Sequence, residues 1–395
     1  MAYAVYFTQV VAGGGEQGTF LWSIAITSSM LVIGIASPLL GAIADYSANK
    51  KSWVLGFTVL CVAATASLYF VGPGDVAAGM VIFILANMGF VGALGVYYSF
   101  LSELSDEKNV GRLSGYGFAL GYLGGTIALG ICLPLLSGGL EAENLPRFRA
   151  SFLVTAAFYA VFSIPFFLWL RERARPRGAG GAGEAFRGGY QRLALTFRRV
   201  RTLSELFRFL LAYLIYNDGV ETAIYFSAIY AVQEMGFTVG ETVILFLVVQ
   251  LSALVGSLVF GFLSDRIGAK PSIVATLILW CAVVIWAYAA TSKQQFWMVS
   301  LVAGLGLGSN QACSRGLMRM FVPAGRDAEF YGFFSICGKF SAFLGPLVYG
   351  AVARMAGSHR TAILSVLFFF AAGLILLVRV NVARGRQAVL DYAEP

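Results

Sequence analysis

Charge is scarce in this chain. Only 12% of its 395 residues are aspartate, glutamate, lysine or arginine, about half the share of an average soluble domain. With 58% of the residues hydrophobic before the 46 glycines are counted, too little polar surface remains to face water. A soluble globule and a disordered chain are both excluded. Histidine is nearly absent: His359 stands alone in an expected outer loop, so no His-based metal cluster or catalytic dyad can form. A G-x-S-x-G motif is also missing, and no enzymatic activity, cofactor or metal is expected. The cysteines, Cys61, Cys132, Cys281, Cys313 and Cys337, lie in apolar stretches without a C-x-x-C pair. They read as small core residues, not as a disulfide framework.

What the chain has is long apolar runs. A hydrocarbon core of about 30 Å needs about 20 apolar helical residues. Such windows recur at Phe20–Ala44, Ser52–Gly72, Ala77–Leu104, Leu113–Leu136, Ala150–Leu170, Leu206–Val232, Glu241–Leu263, Ser272–Ser292, Phe296–Phe321, Phe330–Ala356 and Thr361–Ala383. Tyr3–Val11 is apolar but too short to cross. It follows no basic segment and precedes no small-residue cleavage site, so it does not read as a signal peptide.

Lysine and arginine set the orientation. Lys50, Lys51, Lys108, Arg112, the cluster from Arg171 to Arg208, Arg266, Lys270, Arg315, Arg319, Arg326, Arg379, Arg384 and Arg386 fall on one side. Arg147, Arg149, Lys293, Arg354 and Arg360 fall on the other. The first side is therefore cytoplasmic. The net charge of +8 reads as topology, and no basic patch with interleaved aromatics points to nucleic acid. Residues 171–205 form the one long polar, glycine-rich stretch. It separates a first bundle, 1–170, from a second, 206–383, and a cytoplasmic tail follows at 384–395. Within it Phe186, Tyr190, Leu193, Phe197 and Val200 share a helical face among arginines, as expected of a helix lying on an anionic cytoplasmic leaflet. A solvated linker is the alternative.

GAIADYSANK at Gly41–Lys50 and GFLSDRIGAK at Gly261–Lys270 carry glycine, aspartate and lysine at matching places. A second echo pairs Gly115 with Gly332 and Gly121 with Gly338. Two halves in a parallel repeat explain both. By that repeat, Leu206–Val232 shifted back begins ahead of Met1 and finishes near Ala12. Tyr3–Val11 is then the outer end of a truncated first span, giving eleven full spans and a partial one on a six-plus-six plan.

With G-x-x-x-D loops after the second and eighth spans, the chain resembles the major facilitator superfamily of secondary transporters. DRIGAK fits that loop better than DYSANK, where Tyr46 and Ala48 replace the usual basic residue and glycine. Tyr97–Gly125, Tyr216–Ala231 and Asn310–Pro346 resemble the vacuole effluxer-like family, named for a fungal vacuolar amino-acid exporter. The resemblance implies an all-α membrane protein in two six-helix pseudo-repeats, working as a monomer in a bacterial inner membrane. It also implies export of an amino acid or similar small solute by alternating access, with protons as the possible coupling ion. Gating then falls to Gly41, Asp45, Lys50, Gly261, Asp265, Arg266 and Lys270. A nontransporting scaffold or receptor, and a lipophile exporter, are the competing readings.

Charges near a bilayer centre are costly and therefore functional candidates. Asp218 and Lys339 lie about 18 and 14 Å from the cytoplasmic ends of their spans at 1.5 Å per residue, which suggests a midplane pair that couples transport or simply joins two helices. Asn217 adjoins Asp218, and Glu221 and Tyr225 follow it on the same face. Gln250, Asn310, Gln311 and Arg315 offer amides and a guanidinium for a carboxylate or similar headgroup. Interhelical bonding is the alternative for Gln250 and Asn310, and snorkelling for Arg315. Gly117, Gly121 and Gly125 suit close helix packing or sliding, and Gly304, Gly306 and Gly308, with no strand before them, are no nucleotide loop.

Overall fold

A computed structural model describes residues 2–14, 40–46, 49–106, 108–170, 203–323, 325–341 and 344–391, with isolated residues between 18 and 32 and at 172, 190 and 191. Among the described residues all regular structure is helical. Helix α1, Ala2–Tyr6, continues into a π-helical turn at Phe7–Val11. The first half then supplies α2 (Lys50–Ser67), α3 (Val76–Leu104), α4 (Val110–Leu136) and α5 (Leu145–Trp169). The second half supplies α6 (Ser204–Gln233), α7 (Val239–Ile267), α8 (Ala269–Ala289), α9 (Lys293–Arg319), α10 (Asp327–Phe340), α11 (Leu344–Ala356), α12 (His359–Val378) and α13 (Val382–Leu390). Eight segments among the described residues are long and apolar enough to cross a membrane. Most of the span at 20–44 and of the amphipathic segment at 186–200 lies outside the described residues.

Local chemistry sets the helix boundaries. Thr238 and Glu241 form a capping box at the start of α7, each side chain accepting the other's backbone N–H. Gly268, at φ 95°, turns the chain from α7 into α8 in a conformation that disfavours a Cβ. Ser292, Ser358 and Asn381 cap α9, α12 and α13. The segment expected as a tail from 384 is helical to Leu390 and is docked, because the buried Glu205 carboxylate accepts the Asn381 N–H at 2.8 Å.

The helices gather into two compact units. The first comprises residues 1–103, 127–194 and 325–336; the second comprises 104–126, 195–324 and 337–395. In the first, the α1 aromatics are buried with Phe148 and Phe152. Tyr3 and Tyr6 donate to the carbonyls of Gly79 and Val71, near the start of α3, which fastens Tyr3–Val11 to that helix. In the second, α7 and α9 approach through glycines. A Cβ at Gly256 would strike Leu305, and one at Gly304 or Gly308 would strike Val249 or Ala253. The glycines of α9 are thus packing residues. These units depart from the expected halves by exchanging the first part of α4 and most of α10.

Candidate functional site

The expected span Phe330–Ala356 contains two helices in the second half's sequence, α10 and α11. Ser341 is in a turn after α10 and donates its N–H to the Cys337 carbonyl. Both ends of this junction are held by one dipeptide of α6. Asn217 donates its amide to the Ser341 hydroxyl and, at 3.4 Å, to the Gly338 carbonyl. Asp218 accepts the Leu344 N–H at 3.2 Å and the Gly345 N–H at 2.9 Å, one on each oxygen. These are the first amides of α11, which have no carbonyl within their own helix to serve them. A capping carboxylate there contributes about 0.5–2 kcal/mol. Gly345 permits the approach: a Cβ would collide with Thr222 and lie 2.8 Å from the Asp218 carboxylate.

This geometry replaces the expected Asp218–Lys339 pair. Lys339 belongs to the last turn of α10, where a cation suits the negative end of the helix, while Asp218 suits the positive end of α11. Each charge therefore serves its own helix terminus. Tyr225, one turn beyond Glu221, is exposed and is not part of the junction.

The other expected site residues divide. Arg315 is buried against α4 instead of snorkelling: its Nε donates to the Ser114 hydroxyl at 3.0 Å and its Nη2 to the Ser114 carbonyl at 2.7 Å. Its guanidinium covers the Phe118 ring at 4.4 Å. Asn310 is also buried and accepts from Ser314, which leaves the Ser314 oxygen to accept from Tyr216. Gln250 and Gln311 instead line a cavity of about 300 Å³ within the second unit. Its other walls are mainly apolar, with Phe226, Tyr230, Trp280, Phe296 and Tyr349 prominent. Tyr122 of α4 also lines it and donates to the Gln311 side-chain oxygen. None of the charged candidates lines this cavity.

The two repeated loops form matched caps at the predicted cytoplasmic ends. Asp45 accepts the Glu329 N–H at 2.9 Å, in the first turn of α10. Asp265 accepts the Gly111 N–H at 2.6 Å and the Arg112 N–H at 3.1 Å, in the first turn of α4, and also the Arg112 Nε at 2.9 Å. Each motif aspartate therefore holds a helix from the opposite sequence half, which accounts for the exchanged segments. Gly41 and Gly261 allow the crossings, since a Cβ would meet the backbone of Ala328 or of Gly111.

The matching lysines diverge. Lys50 sits among Asp45, Glu103 and Asp327 at 3.2, 3.0 and 3.6 Å, whereas Lys270 donates to the Val378 and Val380 carbonyls at the end of α12. Arg266 is exposed at the end of α7. Burial pushes the Asp45 carboxyl up to about 7, against the pull of Lys50. Glu103 and Asp327 escaped sequence reasoning because nothing local marks them as partners of a loop far away in the chain.

Paired loop caps, a parallel repeat and a helix junction held inside apolar spans define a multi-pass membrane transporter of the major facilitator class. The fold agrees with solved members. The chain superposes on the transporter FucP in its outward conformation with a TM-score of 0.73 at 15% identity, covering 96% of both chains. For the human organic anion transporter MFSD10 the TM-score is 0.70 at 18% identity, covering 95% of this chain and 88% of that one. Residues 19–390 match the vacuole effluxer Atg22-like family, and the chain belongs to it. It is 30% identical over 385 residues to the uncharacterized MFS-type transporter YxiO of Bacillus subtilis (strain 168), covering 95% of this chain and 88% of that protein. It is 25% identical over 321 residues to autophagy-related protein 22 of Yarrowia lipolytica (strain CLIB 122 / E 150), covering 74% of this chain and 54% of that one. The chain thus spans about half the length of this fungal relative.

Proposed function

We propose that the chain is a secondary transporter that exports a small solute by alternating access, acting as a monomer in a bacterial inner membrane. The observation that carries this reading is the α10–α11 junction. Transporters commonly place solute and ion sites beside discontinuous helices near the bilayer midplane, where freed backbone groups and helix ends meet polar side chains. A junction fastened by Asn217 and Asp218 can be opened by changing a single group. Protonation offers one such change, because it alters how strongly the carboxyl accepts from the α11 amides. Proton coupling through Asp218 follows from that chemistry, with Glu221 and Lys339 as the neighbouring charges. Membership of an effluxer family supports the outward direction, and likeness to the Bacillus chain supports the bacterial membrane.

The test is counterflow in proteoliposomes against a panel of amino acids and uncharged metabolites. Saturable, protein-dependent exchange of at least one solute is expected, and its rate should change with pH in wild type more than in Asp218→Asn. Exchange no faster than in protein-free vesicles across the panel would overturn the reading.

A further inference from the structure

We infer that the cavity inside the second unit is the seat of an uncharged, mainly apolar solute that carries one or two hydrogen-bonding groups. This deepens the transporter reading, on which it rests, by naming a solute class. The cavity is a partly open cleft whose volume of about 300 Å³ is in the lower range of small-molecule sites. Its walls offer ring faces: Phe226 stacks on Tyr349 at 4.0 Å between centroids, and Tyr230 on Phe296 at 5.4 Å. Flat or branched apolar bodies suit such walls.

The polar atoms of the wall narrow the class further. Tyr230 donates to the Ala287 carbonyl and Ser227 to the Ile224 carbonyl. Tyr122 is engaged with the Gln311 side-chain oxygen, and Tyr349 lies 3.3 Å from the His359 ring nitrogen. What remains for a ligand is the Gln250 amide, the Gln311 side-chain N–H groups, the Ser300 hydroxyl and the Trp280 indole N–H, all neutral. Asp218, Glu221, Arg315 and Lys339 lie outside the lining. A full charge in this mainly apolar, partly open seat would lose part of its water without gaining a counter-charge, which is costly. A neutral amide or hydroxyl headgroup would find both donor and acceptor on Gln250.

One indole frame carrying four head groups tests the inference: tryptophol is neutral, indole-3-acetate anionic, tryptamine cationic and tryptophan zwitterionic. Binding is measured by calorimetry on purified full-length protein in nanodiscs, with empty nanodiscs subtracting lipid partition. Tryptophol should bind saturably and at least tenfold more tightly than each charged congener. Ala303→Phe, which fills the cavity, should abolish that binding. Gln250→Leu should weaken it roughly three- to tenfold, the worth of one hydrogen bond. A charged congener binding as tightly as tryptophol, tryptophol binding that both variants leave unchanged, or no saturable tryptophol binding would overturn the inference. Should tryptophol bind as expected while proteoliposomes move no solute, the seat stands and the transporter reading falls. Should a charged solute be carried while tryptophol fails to bind, the seat falls and the transporter reading stands.

Discussion

At the scale of single residues, the α10–α11 junction turns on two charges that do not need each other. A true Asp218–Lys339 pair predicts that Asp218→Asn/Lys339→Gln recovers what each single change loses, because no uncompensated charge is left. Helix-end capping predicts near-additive losses. Each single variant should lose about 1 kcal/mol, and the coupling in thermal-unfolding cycles should stay below about 0.5 kcal/mol. Full recovery in the double variant would rule the caps out. Gly345→Ala should cost more than either charge, because its Cβ meets Thr222 and the Asp218 carboxylate. A melting temperature equal to wild type in that variant would contradict the close approach. The place of Asp218 deep within an apolar span was legible in the sequence. Its partner was not, although Gly345 and Pro346 carried a signal: proline is tolerated in the first turn of a helix and not in its interior. Arg315 was illegible for the opposite reason. Its partners Ser114 and Phe118 lie about 200 residues earlier in the chain, and only the fold brings them beside it.

At the scale of helices, the repeat was readable and its wiring was not. Matching G-x-x-x-D segments located both caps, but spacing cannot reveal that each aspartate serves a helix of the other half. Asp265→Asn should speed amide exchange at Gly111 and Arg112, and Asp45→Asn should do so at Glu329, as read by hydrogen–deuterium exchange. Unchanged exchange at those amides would contradict the two caps. The weaker match of DYSANK to the usual loop suggests a lesser role for Asp45, yet the structure seats Asp45 and Lys50 among two further carboxylates.

A pH dependence follows from that seat. When the Asp45 cap is closed, its carboxyl sits up at about 7; when the cap opens to water, the group returns to the ordinary range near 3.9. Closing therefore takes up a proton between those values. Protection at Glu329 should fall as pH rises from about 4 to about 7 and stay level above, after correction for intrinsic exchange. Asp45→Asn should abolish that slope. A slope of the opposite sign would contradict the burial of Asp45.

At the scale of the whole molecule, the count and placement of apolar runs were enough to fix an all-helical membrane protein, because the bilayer imposes a length that few soluble folds imitate. Composition also marked the polar stretch at 171–205, most of which lies outside the described residues. The exchange of 104–126 and 325–336 between the compact units was beyond sequence reasoning, since it depends on contacts between segments some 150 to 280 residues apart. The cavity was equally hidden, because Gln250 and Gln311 resemble interhelical polar residues until the surrounding rings are in place. The most direct test of the central claim is efflux from proteoliposomes loaded with a mixed metabolite pool and followed by mass spectrometry, comparing wild type with folded Asp218→Asn. At least one solute should leave faster through wild type than from protein-free vesicles, and Asp218→Asn should slow that exit several-fold. Exit of every solute at the protein-free rate, or equal rates through both proteins, would contradict a transporter that works through the α10–α11 junction.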